Sequence, residues 1–512
     1  MTVVATVVGV AATLVGLLRW LRVAQREHYI SGSCIQTARR WATRRPPNAP
    51  LVASAGVALL GAVALALASS HTGAAVVSVV ASVLAAAFPW GMSLVGEPRL
   101  ARTRRLRTLA AVATVLALAF GLFGALLLGA AAAAAATAVL VPALVDVALA
   151  VTKPFESRAA ARHRSRAEAR LAQVAPFVIA VTGSWGKTST KNHIRDLLAG
   201  TVDVVASPAS WNNTAGLSRT VNEHLTPSTE VLVVEMGMYG PGEIRELCSW
   251  VRPNIAVITA VGPMHLERAG SIEKIAEAKA EILERADVAV LWVDDPRIAE
   301  IADRAAVPKV WRVGHRGGQR LDVEVDVDEA SGDITVLAGG EVVGTCPGAT
   351  GAHAGNVGCA VAVALAHGIP AGRIAERLGG LTNPAHRATE GWSDAGLYVI
   401  DDTFNSNPSG AAASVARLAR TVDGRRAVVT PGMVELGPLQ ATENRALAEC
   451  ATASGATVVV VGWTNRTDLL AGASDGSVVV VPNRAAAAEW VRQNLGRGDG
   501  VLWANDLPDH YP

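Results

Sequence analysis

The chain is poor in cysteine, and its few cysteines are not spaced as a metal site or a disulfide framework requires. Five occur among 512 residues, and no two of them form a CxxC or CxxH pair. They are Cys34, Cys248, Cys346, Cys359 and Cys450. This usage fits a reducing compartment and argues against a zinc site and against a disulfide-stabilised fold.

An excess of charge is also missing. The formal net charge at pH 7 is +2, which gives no general reason to expect a nucleic-acid partner. The arginines are clustered, but the clusters lack the interleaved aromatic side chains that stack on bases. We therefore expect no nucleic-acid partner.

Apolar sequence is abundant, and most of it lies in the first 155 residues. Hydrophobic residues make up 51% of the chain, and the mean hydropathy is +0.32. Residues 2–18 are apolar, and positive charge follows them at Arg19 and Arg22, whereas a secretory signal carries its charge before the apolar core. We therefore predict an uncleaved anchor and further spans of about 20 residues each. These further apolar runs lie at roughly 50–69, 73–95, 108–129 and 131–151.

The arginines predict the orientation of these spans, of which we expect five, with four as the alternative. A buried core remains the alternative for the Ala-rich last pair. The loops at 19–49 and 96–107 are rich in arginine, whereas the loop near 69–71 has no Lys or Arg. By the positive-inside rule both basic loops are cytoplasmic, and an odd number of spans returns the chain to the cytoplasm at Lys153. The sequence thus predicts a multi-pass protein of a bacterial-type inner (plasma) membrane, in contact with membrane lipids, with the chain after residue 155 in the cytoplasm.

The remainder of the chain is typical of an α/β protein. A charged segment, 156–175, predicts a juxtamembrane helix or linker that faces either solvent or lipid headgroups. Strands then alternate with helices, which predicts a parallel sheet flanked by helices, with antiparallel strands at 320–346 and a helix at 354–367. The alternation restarts near 380–388. We therefore predict a helical transmembrane region at 1–155, a central parallel-sheet domain at 176–382 and a smaller Rossmann-like domain at 383–512.

One stretch carries the strongest chemical signal. The apolar run 178–181 leads into Thr182-Gly183-Ser184-Trp185-Gly186-Lys187-Thr188-Ser189. Glycine lets the backbone close around an oxyanion, a helix N-terminus offers free N–H groups, and Lys187 adds a positive charge. The Thr188 hydroxyl can reach Mg²⁺. Because Val181 stands where the usual outer glycine would be, a glycine turn with a surface lysine remains the alternative to a nucleotide-phosphate site. With the nucleotide-phosphate site, 176–382 is a P-loop ATP-binding domain.

Further candidates follow the other strands, where open α/β sheets bind ligands. Glu235 suits Mg²⁺, although it could simply cap a helix. His265 is more often a packing or surface residue than a ligand, and spacing alone makes Lys279 part of a charged helix face. The polar run 401–408 suits a ligand-binding turn or an Asx-turn.

In this order, the motifs resemble those of the Mur ligase family of ATP-dependent amide-forming enzymes, over about two-thirds of the chain from 176 to 512. The loop at 182–188 is similar to the family's Thr-Gly-x-x-Gly-Lys-Thr sequence, which accounts for the absent outer glycine. The segments at 211–213 and 405–408 resemble the branch that adds D-alanyl-D-alanine. The segments around Glu235, His265 and Lys279 are similar to the two metal-binding segments of the family and to its carbamylated-lysine segment.

The resemblance implies sites for ATP, for two Mg²⁺ ions and for both substrates. ATP would be bound by Thr182, Gly183, Ser184, Trp185, Gly186, Lys187, Thr188, Ser189, Asn356, Arg387 and Asp402. The metal ions would be held by Thr188, Glu235, His265 and a carbamylated Lys279. Substrates would be bound by Asn212, Asn213, Asn405 and Asn407. The catalytic residues would be Lys187, Glu235, His265 and Lys279.

The resemblance also implies the reaction, in which a substrate carboxylate is phosphorylated by ATP and the acyl phosphate is captured by an amine. Two departures leave the substrates open. The membrane region replaces the family's UDP-sugar-binding domain, and Trp503-Ala504-Asn505-Asp506 stands where the D-alanyl-D-alanine branch has Lys-Gly-Ser-Arg. We expect a soluble or lipid-linked peptide precursor as acceptor and an amino acid or dipeptide as amine; the sequence indicates no oligomeric state.

The resemblance implies a membrane-anchored ATP-dependent carboxylate–amine ligase of cell-wall peptide synthesis, and two alternatives remain. The same ligation could serve a specialised-metabolite peptide or a γ-glutamyl polymer. A membrane NTPase or transporter is the alternative from another class. Against transport, Asp146 is almost the only ionisable residue in the predicted spans, whereas a polar substrate path usually needs several.

Overall fold

The computed structural model describes residues 1–92, 100–318, 320–348, 352–381, 389–404, 406–507 and 511. The chain divides into two compact units, one built mainly from residues 1–159 and the other mainly from residues 160–506. The first is helical and the second contains two sheets.

The helical unit contains the predicted apolar helices and one that was not predicted. Its helices are α1 (Thr2–Arg26), α2 (Ser33–Arg44), α3 (Asn48–Leu67), α4 (His71–Ala87), α5 (Arg104–Leu128) and α6 (Ala130–Val174). By length and composition, four of them (α1, α3, α5 and α6) could cross a membrane. Helix α4 has 17 residues and ends at Ala87, before Phe88-Pro89, because the residue before a proline avoids helical conformation. The end of its predicted run, 93–95, lies outside the described residues.

Two features of this unit differ from the sequence-based expectation. The basic loop at 19–49 contains α2, whose N-terminus is held by the distant Asp146 carboxylate. The last predicted span and the charged segment after it form one 45-residue helix, α6, despite Pro142 and Pro154 within it. Proline is tolerated in such helices where neighbouring groups satisfy the freed backbone carbonyls.

Small residues allow the helices of this unit to approach closely. Ala62 on α3 and Ala75 on α4 are fully buried, and a Cβ on Gly9 of α1 would lie 2.9 Å from the backbone of Ala134. Large apolar side chains instead point outward, with Leu126 of α5 85% exposed. Small residues inside and large apolar residues outside are the arrangement of helices that pack in lipid.

The second unit begins with a nine-stranded sheet. Its strands are β1 (Phe177–Thr182), β2 (Val204–Ala206), β3 (Val231–Glu235), β4 (Ile255–Ile258), β5 (Val288–Trp292), β6 (Lys309–His315), β7 (Val323–Val327), β8 (Ile334–Ala338) and β9 (Glu341–Cys346). They lie in the order β2-β3-β1-β4-β5-β6-β7-β8-β9. Pairing is parallel as far as β7 and antiparallel from β7 to β9, which confirms the predicted antiparallel edge.

Helices cover this sheet, and a buried interior strand leads to the predicted loop. The helices are α7 (Lys187–Leu198), α8 (Thr214–His224), α9 (Glu243–Trp250), α10 (Leu266–Ala269), α11 (Ile272–Ala280), α12 (Pro296–Arg304), α13 (Ala354–His367) and α14 (Ala371–Leu378). Helix α13 has the predicted bounds. Strand β1 lies between β3 and β4 and has Ile179 and Val181 fully buried. Its carboxyl end is therefore a switch point of the sheet, where open α/β folds bind ligands.

A six-stranded sheet forms the C-terminal part of the second unit. It is built from β10 (Thr389–Trp392), β11 (Tyr398–Asp402), β12 (Arg426–Thr430), β13 (Ala456–Val461), β14 (Val478–Val481) and β15 (Gly500–Ala504), in the order β10-β11-β15-β12-β13-β14. The accompanying helices are α15 (Pro408–Thr421), α16 (Gln440–Ala453), α17 (Arg466–Gly472) and α18 (Arg484–Asn494). All pairs except β10–β11 are parallel, as predicted for a Rossmann-like sheet.

Candidate functional site

The glycine loop joins β1 to α7 and needs both of its glycines. Gly183 and Gly186 have φ values of +154° and +80°, which side chains rarely adopt. A Cβ at Gly183 would lie 2.0 Å from the Thr259 hydroxyl, and one at Gly186 would lie 2.3 Å from Oδ1 of Asn356. The loop is therefore packed against β4 on one side and against the head of α13 on the other.

Lys187 and Thr188 begin α7 at the end of this loop. The Lys187 ammonium donates hydrogen bonds to the carbonyl oxygens of Gly183 (2.7 Å) and Ser184 (3.4 Å). The Thr188 hydroxyl donates to Oε2 of Glu235, at the end of β3, over 2.7 Å. The other oxygen of Glu235 accepts from the Asn212 side-chain amide at 3.0 Å. Thr188, Asn212 and Glu235 thus meet beside the loop.

Glu235 and Thr188 fit a magnesium site in which most ligands come from elsewhere. Glu235 is 1% exposed, and the side chains that donate hydrogen bonds to its carboxylate, those of Thr188 and Asn212, are neutral. Within the described residues, no group of three or more His, Cys, Asp or Glu side chains could hold a metal ion. Mg²⁺ commonly binds through one or two carboxylates, with water and substrate phosphates as its other ligands. One carboxylate and one hydroxyl are therefore sufficient protein ligands.

His265 contacts a different carboxylate from Glu235. Its Nδ1 lies 2.6 Å from Oε2 of Glu435, in the turn after β12, and Arg268 lies 3.4 Å from the other oxygen of Glu435. Both His265 and Glu435 have a positive φ of 64°, so the two turns are closely constrained. The contact joins the nine-stranded sheet to the six-stranded sheet.

Lys279 lies near the end of α11 and is 3% exposed. Burial, and to a smaller extent the positive charge of Lys187, lowers the pKa of Lys279 well below its ordinary value. This buried position disagrees with the charged helix face that spacing alone predicted. Burial thus favours the neutral form of the Lys279 amine over the charged form.

A cavity of about 350 Å³ opens beside the loop, between the two sheets. Residues of both sheets line it, among them the predicted Trp185, Gly186, Ser189, Asn356, Asp402 and Asn407. Its apolar wall includes Val327 and Ile334. An apolar wall with a few convergent polar groups is typical of a small-molecule site.

Sequence reasoning missed the basic side of this cavity. Arg417 and Arg420 of α15 line it together with His315 and His353. Burial, and then the charges of His315 and Arg417, hold the pKa of His353 below its ordinary value. These residues belong to no motif; only the i, i+3 spacing of the two arginines, after the polar run 401–408, indicated that they share a face.

Lys191 was also missed, and it connects the loop helix to a second predicted segment. It is 1% exposed, and its ammonium donates to the carbonyl oxygens of Ser207 and Ala209, each at 2.6 Å. The chain then continues through Trp211 to Asn212, whose carbonyl accepts from the Gly237 N–H at 2.7 Å. Lys191 thereby fixes the segment that brings Asn212 to Glu235.

The remaining predicted residues cap helices, join neighbouring segments or lie outside the described residues. Asn213 and Asn407 each cap a helix, accepting from the N–H groups of Gly216 (2.9 Å) and Gly410 (3.0 Å) respectively. Thr182 donates to the Met236 carbonyl at 2.8 Å and so joins β1 to the turn after β3. Arg387 and Asn405 lie outside the described residues.

The sequence matches two family models. Residues 181–364 match the Mur ligase middle domain, and residues 387–505 match the domain described as "Mur ligase, glutamate ligase domain". The chain is also similar to the UDP-N-acetylmuramoyl-tripeptide–D-alanyl-D-alanine ligase of Mycobacterium leprae, with 34% identity over 64% of this chain and 70% of that protein. The enzyme of the same name from Bacillus subtilis is 32% identical over 54% of this chain and 60% of that protein.

Solved structures give the same result. MurF from Thermotoga maritima in complex with ADP superposes with a TM-score of 0.59 and 25% identity, covering 68% of this chain and 80% of that one. MurF from Acinetobacter baumannii has a TM-score of 0.59 and 23% identity, covering 68% of this chain and 77% of that one. The predicted family resemblance and α/β fold are confirmed.

Proposed function

This chain belongs to the Mur ligase family of ATP-dependent ligases, and we propose that it adds an amino acid or dipeptide, such as D-alanyl-D-alanine, to a cell-wall peptide precursor. One observation carries the proposal. The glycine loop and Asp402, from different sheets, line one cavity, beside which Thr188 and Asn212 meet on Glu235. A nucleotide in this cavity would be enclosed from both sides, which protects a reactive intermediate from water.

The reaction follows from the groups at the loop. An oxygen of the substrate carboxylate attacks the γ-phosphorus of ATP, the bond to the β–γ bridging oxygen breaks, and ADP leaves. Lys187 offsets the negative charge that develops on the phosphoryl oxygens. The amine nitrogen then attacks the acyl carbon, phosphate leaves, and the nitrogen loses a proton. Thr188 and Glu235 would hold Mg²⁺, which supplies further neutralisation of phosphate charge when bound.

The further site residues extend this assignment. Thr182 to Ser189, Asn356, Arg387 and Asp402 would bind ATP. Asn212, Asn213, Asn405 and Asn407 would contact the substrates. We include His265 among the metal ligands on the resemblance alone, since its contact in this structure is with Glu435.

Lys279 fits the carbamate that the resemblance implies. An amine reacts with carbon dioxide only when it is unprotonated, and burial lowers the pKa of Lys279. The product is a carboxylate on a long arm that could hold a second Mg²⁺. Lys279→Ala should lose activity and regain part of it with short-chain carboxylic acids, whereas loss without any rescue would exclude the carbamate.

The helical unit would anchor the enzyme in a bacterial-type inner membrane with the catalytic domains in the cytoplasm. The supporting observations are the four helices of sufficient length and their outward-facing apolar side chains. A membrane anchor suits an acceptor that is lipid-linked. Equal turnover of soluble and lipid-linked acceptors in detergent would remove this part of the proposal.

The test is a screen of carboxylate and amine pairs with the full chain, ATP and Mg²⁺. Mass spectrometry should detect a joined product, and phosphate release should depend on the amine. Full-rate ADP formation without any amine, and without product from any pair, would instead indicate an NTPase. A product from specialised-metabolite or γ-glutamyl substrates alone would retain the ligation chemistry and move it to another pathway.

A further inference from the structure

A second cavity, of about 400 Å³, lies among the helices of the helical unit. Its walls come from α1, α2, α3, α4 and α6 and are mostly small or apolar, with Trp20, Ala42, Ala85 and Ala138 among them. Arg39 is the single charged residue among its described lining residues. The volume lies within the range of about 300–1,000 Å³ that small-molecule sites occupy.

Part of the lining of this cavity reaches the apolar outer surface of the unit. Ile35 of α2 and Val52 of α3 line the cavity and are 51% and 40% exposed. Farther along α3, Val57 and Leu60 are 70% and 71% exposed. An apolar surface of this kind marks contact with lipid or with another apolar partner. A hydrocarbon chain could therefore enter the cavity directly from a bilayer.

Helix α2 places the charge of Arg39 at this cavity. Ile35, Ala38, Arg39 and Ala42 line it at the spacing i, i+3, i+4, i+7, which is one helical face. The face is fixed in rotation because the Asp146 carboxylate accepts hydrogen bonds from the N–H groups of Cys34 (3.2 Å) and Ile35 (2.9 Å).

The Arg39 charge has no carboxylate partner in the part of the chain that the structure describes. Helix α2 contains no acidic residue. Glu27, the C-cap residue of α1, pairs at 3.5 Å with Arg40, the residue after Arg39. A guanidinium beside an apolar cavity favours a ligand with a hydrocarbon chain and an anionic phosphate. A soluble anion would leave the apolar walls unused, and an uncharged lipid would leave Arg39 unpaired.

We propose that this cavity binds one chain of an anionic phospholipid whose headgroup phosphate pairs with Arg39. Such a site would hold a lipid at the unit independently of the ligation reaction.

Native mass spectrometry of the detergent-purified full chain tests this site, with phosphatidylglycerol and diacylglycerol as probes. The wild type should retain one phosphatidylglycerol. Arg39→Gln should weaken that retention about fivefold, the effect of one basic residue near an anionic headgroup, and leave diacylglycerol unchanged. Ala42→Phe and Ala85→Phe fill the cavity and should reduce the retention of both lipids.

Two variants serve as matched controls. Arg104→Gln removes an exposed arginine of α5, and Ala53→Phe enlarges an exposed alanine of α3; neither residue lines the cavity. Both should retain phosphatidylglycerol like the wild type. The proposal fails if Arg104→Gln matches Arg39→Gln, if the cavity-filling variants bind normally, or if inorganic phosphate displaces the lipid. Because no ATP is present, none of these outcomes bears on the ligase proposal.

Discussion

A buried carboxylate from each unit shows how differently the two units use a negative charge. Asp146 of the helical unit is 6% exposed, and its two oxygens accept from the backbone N–H groups of Cys34 and Ile35. Glu235 of the α/β unit is 1% exposed, and its two oxygens accept from the Thr188 hydroxyl and the Asn212 amide. Backbone donors in a helix cannot turn away, whereas side-chain donors can. Asp146 is therefore committed to the fold, and Glu235 remains available to a ligand.

The two units also differ in where their large apolar side chains lie. The helical unit exposes large aliphatic side chains such as Leu126 (85%) and Val3 (77%), whereas β1 at the centre of the α/β unit buries Ile179 completely. Burial of apolar side chains drives the folding of an α/β unit in water. Helices in lipid instead associate through close packing and hydrogen bonds. In the proposed membrane location, the Asp146 cap would belong to the second kind of stabilisation.

The largest expected effect is at the loop. Lys187→Ala removes the ammonium that offsets phosphoryl charge and should lower kcat by about 10³-fold, the scale of such charge stabilisation. The thermal unfolding midpoint should change little, because the hydrogen bonds that are lost are to two loop carbonyls. Lys274→Ala, an exposed lysine of α11, is the control, and amine-dependent phosphate release is the measurement.

Glu235→Gln tests whether the Glu235 carboxylate, unlike that of Asp146, serves a ligand. The substitution keeps the volume and one acceptor oxygen but removes the charge, so the Mg²⁺ concentration needed for half-maximal activity should rise by a factor on the order of 100. A titration with Mg²⁺ at saturating ATP measures this shift. If the variant loses stability and its Mg²⁺ dependence is unchanged, Glu235 is a structural residue like Asp146 and the comparison is broken.

Lys191→Met is expected to have an intermediate effect, because Lys191 acts through the segment it fixes. Loss of the two hydrogen bonds to the carbonyls of Ser207 and Ala209 should loosen the position of Asn212. The KM for a substrate should rise about tenfold, equivalent to roughly 1.4 kcal/mol, with a smaller change in kcat. Lys274→Met controls for the removal of a lysine charge. A fall in kcat with KM unchanged would contradict a positioning role.

What could be predicted from sequence follows from how local each feature is. The loop at 182–189 and helix α13 are encoded by consecutive residues, so both were found. Helix α13 has its predicted bounds, whereas Thr182 still belongs to β1 and α7 already begins at Lys187. The cap on α2 joins Asp146 to residues 111 and 112 positions away, and the His265–Glu435 contact spans 170. Neither pair has a local pattern. Lys191 was missed for a related reason, because a lysine at the end of a polar helix start resembles a solvent-exposed one until the fold buries it.

Asp146→Asn completes the comparison and should have the smallest effect on activity. An asparagine carbonyl can accept from one of the two N–H groups of α2, but its NH₂ group cannot accept from the other, so one donor is left unsatisfied. The loss should be about 1–2 kcal/mol of stability, seen as a lower thermal unfolding midpoint of the full chain, with unchanged amine-dependent phosphate release. Glu156→Gln, whose side chain is 31% exposed and paired with Arg105 in the same unit, should leave the midpoint near that of the wild type. Ionisable groups within membrane spans are often functional. An Asp146→Asn variant with the thermal unfolding midpoint of the wild type but without ligation would show that this carboxylate takes part in function. Hydrogen bonds from backbone donors would then not be enough to identify a structural charge.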